Sequence, residues 1–343
     1  MEKKSRRGGI AIAGNIIVDC VNIIERYPQK NMLTNVLSRS LSIGGCVSNT
    51  IIDLAGIDPE LPLYAYGKVG SDEHGRFAVS EIEKHGVDVS GIVVSETAST
   101  SFNNVMSERD TGDRTFFYLT GAGGEFCEDD IDVSALDCDI FHIGYILLLD
   151  MLDKADDEYG THMARLLCEV QKQGIKTSVD VVSEDSERFA QKVIPALKYC
   201  DYAIMNEIEC CGVTGLSPRK ADGSVDVDHI RATMEKFLEY GVREKVIIHC
   251  PEGGFCLDRN GTFTSVPSLR LPEGYIKGTV GAGDAFAAAS LYGLYHGFDA
   301  EKLLGFASAS AACALSVLDT VSGIRSRAEI EELEKKYPRR EKI

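Results

Sequence analysis

The sequence has no CxxC pair. Its eleven cysteines are scattered along 343 residues, and only Cys210 and Cys211 adjoin. That spacing excludes a small disulfide-stapled secreted scaffold and reads as reduced thiols. Positive charge is also scarce: 36 Lys and Arg stand against 53 Asp and Glu, a formal net charge of −17. A general nucleic-acid binder needs clustered cations to displace counterions from phosphates, so no nucleic-acid partner is expected. A long apolar run is missing too. The uncharged stretch Leu303 to Leu318 is rich in Ala and Ser and falls short of the roughly 20 apolar residues of a membrane helix. It reads as a buried helix, with no membrane partner. The start, Met1 to Gly9, is basic and polar and runs straight into a strand-like segment, unlike a signal peptide, so a cytoplasmic location is expected. No G-x-x-x-x-G-K-[ST] string occurs, which excludes the common P-loop. Nor is there a Pro/Ser-rich linker or an internal repeat, so residues 1–343 read as a single domain.

What is present is an alternation. With 44% hydrophobic and 26% charged residues, the composition is that of an ordinary globular chain. Strand patterns fall at Gly9–Val18, Leu63–Gly67, Ile140–Ile143, Lys176–Val181, Tyr202–Met205 and Val246–His249. Helical patterns fall at Val47–Ala55, Gly75–His85, Thr161–Gln173, His229–Tyr240 and Asp284–Tyr295. This order predicts an α/β fold, a mostly parallel sheet sandwiched by helices. Segments 22–43 and 97–120 fit it poorly, and the second alternates strand formers around Thr111-Gly112-Asp113. They read as a small accessory β sheet, either an ordinary edge hairpin or a lid that closes over a ligand and excludes water.

The strongest chemical signal is Gly278-Thr279-Val280-Gly281-Ala282-Gly283-Asp284-Ala285-Phe286. Glycines permit a tight turn without a Cβ clash, and a helix pattern follows. Backbone N–H groups at such a helix start converge on an anion, favouring it by ~0.3–1 kcal/mol, or up to ~2 kcal/mol when partly buried. Asp284 then stands where a carboxylate can take a proton from an attacking hydroxyl while the turn holds the transferred group. The competing reading is a helix cap, because Asp is a favoured N-cap residue. A dinucleotide fingerprint fails, since Phe286 occupies the last glycine position of G-x-G-x-x-G and the motif lies late in the chain.

Together with a second stretch, this motif resembles the ribokinase-like (PfkB) carbohydrate kinases. Their C-terminal signature is D-T-x-G-A-G-D-x-F, and the chain reads G-T-V-G-A-G-D-A-F. The second stretch is Ser42-Ile43-Gly44-Gly45-Cys46-Val47-Ser48-Asn49, followed by Tyr66 to Gly75, and it is similar to the family's N-terminal signature. Gly86-Val87-Asp88, Gly112 to Thr115 and Asn206-Glu207-Ile208-Glu209 continue the similarity in order across roughly residues 9 to 330.

The resemblance implies a ribokinase-like fold with a small β lid and an ATP-dependent kinase acting on a hydroxyl of a sugar or sugar derivative. Asp284 would be the general base, and Gly281, Ala282 and Gly283 the anion hole, with Thr279 beside the nucleotide. Asp19, Gly44, Gly45 and Asn49 would hold the substrate. Read alone, Asp19 is a turn residue at the end of the first strand and the glycine pair is loop punctuation. Asn206 and Glu209 would organise Mg²⁺ and the ATP phosphates, Glu209 reaching the metal through water. Their i, i+3 spacing equally fits a capping box. Gly278 replaces the leading Asp that in many relatives helps hold a monovalent cation, which weakens the expectation of a potassium requirement. His249 and Pro251 stand where relatives carry Thr and Gly near the nucleotide, and His249 also reads as a strand-end histidine. Lys30, Arg39, Arg109 and Arg114 are candidate contacts for a substrate anion or plain solvated charges. The alternatives are a nucleoside kinase of the same family and a catalytically silent sugar-binding sensor. A homodimer through the lid is expected by analogy.

Overall fold

The computed structural model describes residues 8–183 and 188–343; the basic start, residues 1–7, lies outside them. In chain order the strands are β1 (Ile10–Ala13), β2 (Ile17–Ile24), β3 (Val36–Gly44), β4 (Leu63–Gly70), β5 (Asp88–Ser95), β6 (Phe102–Glu108), β7 (Arg114–Leu119), β8 (Ile140–Ile146), the short hairpin β9 (Ala155–Asp156) and β10 (Gly160–Thr161), β11 (Lys176–Val181), β12 (Tyr202–Asn206), β13 (Lys245–Cys250), β14 (Gly253–Asp258) and β15 (Phe263–Pro267). The helices are α1 (Cys46–Ile57), α2 (Glu73–Glu83), α3 (His162–Lys172), α4 (Phe189–Leu197), α5 (Glu207–Thr214), α6 (Val227–Tyr240), α7 (Ala282–Tyr295), α8 (Ala300–Ala314) and α9 (Arg327–Lys336).

A nine-stranded sheet runs β15-β14-β13-β12-β11-β8-β1-β4-β5. From β13 to β5 all neighbours are parallel, and β14 and β15 close one edge as antiparallel strands. Side chains alternate across it with period two. Ile10 and Ile12 of β1 enter the core that also holds residues of α1, α7 and α8, while Ala11 and Ala13 enter the core shared with α3 and α6. Both faces are therefore covered, which is why these strands read as continuous apolar runs. Small residues let α7 and α8 sit deep in the first core: Ala285, Ala287, Ala288, Ala289, Ala307 and Ala309 are all buried. The Ala/Ser-rich stretch is thus a buried helix as far as Ala314, while Leu315 to Leu318 lie beyond the helix and reach the surface at Leu318, and among the described residues no helix is long and apolar enough to cross a membrane.

Chain order places the functional end. From β1 the chain moves outward to β4 and β5, then returns to β8 on the other side of β1. Such a switch point opens a crevice at the carboxyl ends of the strands.

A second sheet, of four strands in the order β3-β2-β6-β7, is made from the two segments that fit the α/β alternation poorly. The β6–β7 turn carries Gly112 at φ 74°, where the sequence reads as a turn. One expectation is corrected. The apolar run Gly9 to Val18 is two strands in different sheets, broken after Ala13 by Gly14 at φ 134°. A Cβ at Gly14 would lie 2.7 Å from both Cys46 Sγ and the Gly144 carbonyl, so the chain turns there under close packing. Asp19 consequently belongs to β2 of the small sheet and does not end a core strand.

Candidate active site

The carboxyl ends of β8, β11, β12 and β13 and the start of α7 surround a cleft of about 200 Å³, lined among others by Tyr145, Asp180, Asn206, Glu209, His249, Gly283 and Asp284. None of its lining residues is Lys or Arg.

The turn into α7 depends on Gly281. Its φ is 81°, and a Cβ there would lie 2.4 Å from the Thr320 carbonyl oxygen. Any other residue would meet both left-handed strain and a backbone clash. No side chain caps this helix, so beyond Ala282 N, which bonds a backbone carbonyl, its first N–H groups are available to an anion, as at other helix starts. Asp284 is therefore not the N-cap: it lies in the first turn, one face toward the cleft. Thr279 precedes the helix as an exposed residue whose carbonyl accepts from Ala282 N at 3.4 Å.

Two donors hold the Asp284 carboxylate. Asn49 Nδ2 donates to Oδ2 at 2.8 Å, and the Tyr145 hydroxyl donates to Oδ1 at 2.9 Å. Burial raises the carboxyl from 3.8 to about 7, Asp180 adds to the rise, and the bonds from Asn49 and Tyr145 oppose it. Such a carboxyl is poised between acid and base near neutrality. The Asn49 amide is thus a partner of Asp284, while its buried Oδ1 has no hydrogen-bond partner. Asn15 Oδ1, fully buried at the end of β1, is likewise unpartnered. An orphan acceptor on the residue that bonds Asp284 suits a hydroxyl donor of a polyol.

Asp19 lies across the small sheet. Its Oδ1 accepts from Asn103 Nδ2 at 2.8 Å. Burial raises its carboxyl above the usual range, opposed by the Asn103 bond and the charge of Arg114. A Cβ at Gly44 would stand 2.8 Å from Asp19 Oδ2, so the glycine leaves room for this carboxylate. Gly45 follows as the N-cap position of α1. Of the other cations considered, Arg109 pairs with its neighbour Asp110 at 2.8 Å, and Lys30 and Arg39 are exposed.

Asn206 and Glu209 form a complete capping box. Asn206 Oδ1 accepts from Ile208 N and Glu209 N at 2.9 and 2.8 Å, and Glu209 Oε2 accepts from Asn206 N at 3.0 Å. Glu209 Oε1 accepts from Ser183 Oγ and Asn206 Nδ2, each at 2.7 Å. Burial foremost, and the charges of Asp180 and Asp284, raise its carboxyl to about 7, against bonds from Ser183 and Asn206. Both oxygens are thus engaged by protein donors. Among the described residues no group of three or more His, Cys, Asp and Glu is arranged to hold a metal ion. This donor set fits a hydrated Mg²⁺ arriving with phosphate oxygens, since Mg²⁺ keeps several waters and needs few protein ligands. At position 278 a Cβ would press on the Val317 carbonyl at 2.9 Å, and no carboxylate stands there.

His249 lies near the end of β13, its ring 4.8 Å from that of Phe286, and burial lowers it to about 4. Its imidazole faces the cleft.

Sequence reading passes over Tyr145, Asp180, His142 and Asn103. Asp180 carried a faint signal as an acid near the end of a buried strand. It accepts from Tyr145 N at 2.6 Å and lies 3.3 Å from His142 Nε2, whose Nδ1 is 3.0 Å from Ser178 Oγ. Tyr145 carried none, because its position follows from a backbone kink: it has φ 62°, and Leu147 has φ 87°.

Known proteins share this architecture. A 5-dehydro-2-deoxygluconokinase of Bacillus velezensis is 24% identical over 316 residues, 88% of each chain. A ribokinase of Schizosaccharomyces pombe is 25% identical over 270 residues, 77% of each. The structure of Arabidopsis thaliana ribokinase complexed with ribose and ATP superposes with a TM-score of 0.80 at 21% identity, covering 96% of this chain and 99% of that one. The model of the pfkB family of carbohydrate kinases matches residues 9–327, and this chain belongs to that family of sugar kinases.

Proposed function

We propose that the chain transfers the γ-phosphoryl group of ATP to a hydroxyl of a sugar or sugar derivative, with Asp284 as general base. The observation that carries this reading is a carboxylate raised to about 7 in the first turn of an uncapped helix, fixed by two donors from separate elements. Asp284 takes the proton of the acceptor hydroxyl as that oxygen forms its bond to phosphorus and the bond to the leaving phosphate oxygen breaks. The N–H groups of Gly281, Ala282 and Gly283 receive the charge on the transferred group. Asp19, Asn49 and the backbone at Gly44 and Gly45 orient the acceptor, and Thr279 adjoins the nucleotide. Mg²⁺, when bound, supplies neutralisation of the phosphate charge, which this cleft without Lys or Arg does not provide. Glu209, oriented by Asn206 and Ser183, would hold it through water.

The two sheets would act as one kinase unit, the small one serving as lid. Its outer strands expose Val36, Leu37 and Leu41 on β3 and Phe116, Phe117 and Leu119 on β7. Large exposed apolar groups support the expectation of a homodimer through the lid, which sedimentation over a range of protein concentrations tests. The names of the relatives support sugars and sugar acids as acceptors.

The test is ADP release over sugars, sugar acids, sugar phosphates and nucleosides, with and without Mg²⁺ and K⁺. Mg²⁺-dependent turnover on a sugar or sugar acid is expected, without a K⁺ requirement. Turnover confined to nucleosides would move the assignment to a nucleoside kinase. Ligand binding without ADP release would make the chain a sensor.

A further inference from the structure

We propose that Tyr145 is a positioning residue for Asp284, fixing the carboxylate plane of the base through a backbone kink anchored on Asp180. This rests on the reading of Asp284 as general base and adds the device that aims it.

The geometry runs through one chain of contacts. Ser178 Oγ lies 3.0 Å from His142 Nδ1, and His142 Nε2 lies 3.3 Å from Asp180 Oδ2. Asp180 Oδ1 accepts from the backbone N–H of Tyr145 at 2.6 Å, and the phenol reaches Asp284 Oδ1 at 2.9 Å. All the anchors come from β8 and β11, central strands buried on both faces. Tyr145 is a bulky residue at φ 62°, a conformation disfavoured for L residues by ~1–2 kcal/mol. Strain of this kind persists where the surroundings over-determine it. Here the Asp180 bond holds the backbone in the kink, and the kink directs the phenol across the cleft.

The consequence concerns direction. Asn49, from α1, holds Oδ2, and Tyr145, from β8, holds Oδ1. One donor alone would let the carboxylate swing about its Cβ–Cγ bond. Two donors from separate elements fix its plane, so the remaining lone pairs point to one place, where the acceptor hydroxyl must arrive. A misplaced base loses rate more than affinity. Burial pushes the Tyr145 phenol well above its ordinary range, so it stays a donor throughout the working pH range. The other titratable groups around Asp284 are Asp180 and His142 beneath it, Glu209 on α5, Cys46 and Asp53 on α1, and His249 on β13. Unlike a charge acting at a distance, the Tyr145 phenol is hydrogen-bonded directly to the carboxylate.

The experiment is Tyr145→Phe, which removes one oxygen and keeps the ring. In protein labelled with [γ-¹³C]aspartate, the Asp284 signal is assigned by its loss in Asp284→Asn and followed with pH, without substrate. Losing a donor to the charged form shifts the Asp284 midpoint upward by about one pH unit in Tyr145→Phe. On the best acceptor from the panel, kcat falls about 10-fold with KM nearly unchanged. An unchanged carboxyl midpoint, or a loss confined to KM, overturns the proposal. Wild-type protein that releases no ADP with any acceptor would defeat the kinase reading instead, and the carboxyl titration would still decide whether Tyr145 governs Asp284. If Tyr145→Phe unfolds, Asp180→Asn with the ring intact takes its place. Its Tyr145 anchor is weakened, so kcat must again fall without a matching rise in KM.

Discussion

Replacing Asp284 with Asn separates catalysis from stability, and the structure sets both magnitudes. Asn cannot take the acceptor proton, so turnover falls by ~10²–10⁴-fold, the usual contribution of a positioned base. Stability moves the other way. Raising a carboxyl from 3.8 to about 7 corresponds to roughly 4 kcal/mol against its ionised form in the folded state. Asp284 keeps partial exposure to the cleft, and solvent screening leaves about 2–3 kcal/mol of that. Asn accepts well from only one of Asn49 and Tyr145, a loss of ~1 kcal/mol. The net expectation is a gain of ~1–2 kcal/mol at pH 8. The sign follows from the raised folded value. The wild-type contribution is complete below about 4 and is lost as pH rises from there through about 7. The variant lacks this loss, so its advantage grows across that window and is flat above it. At pH 5, where the folded wild type is mostly protonated, the advantage is largely absent. Urea unfolding of both proteins at pH 5 and pH 8, beside coupled ADP-release assays, measures the two effects. An equal stability difference at both pH values would refute the burial argument, and near wild-type turnover in a folded variant would refute the base.

Three further outcomes follow from the site. Gly281→Ala puts a Cβ 2.4 Å from the Thr320 carbonyl in a left-handed turn; unfolding free energy should fall by at least ~1–2 kcal/mol and kcat should drop with it, seen in urea melts and steady-state kinetics. Gly44→Ala crowds Asp19 Oδ2 at 2.8 Å; KM for the acceptor should rise about 10-fold or more with KM for ATP unchanged, since only substrate orientation is disturbed. The rate should climb with pH through an apparent value near 7, shared by Asp284 and Glu209, which Asp180 raises in both; Asp180→Asn should move that limb downward in a pH–kcat/KM profile.

Much of this was legible in the sequence because it rests on local rules. The parallel core strands show as apolar runs, since both faces are buried. The turn into α7 shows because Gly281 must adopt a conformation other residues resist, and the small sheet shows as the segments that break the helix–strand alternation. Asn206 and Glu209 were legible as a capping box, which the structure contains, and that same box places Glu209 at the cleft, where the proposed metal role would be exercised. The break between β1 and β2 escaped, because Gly14 turns the chain through packing against Cys46 and Gly144, residues distant in sequence.

The sequence by itself determined the fold class and the family and singled out Asp284 as the candidate base, because each depends on spacing along the chain. Tertiary structure alone decided what surrounds that base. Asn49, Tyr145, Asp180 and Glu209 come from four elements separated by tens to hundreds of residues, and they meet only because strand order opens a crevice at the carboxyl ends of the sheet. Burial there raises Asp284 to about 7 and lowers His249 to about 4. Desolvation is a property of the packed neighbourhood, and no local pattern of residues encodes it.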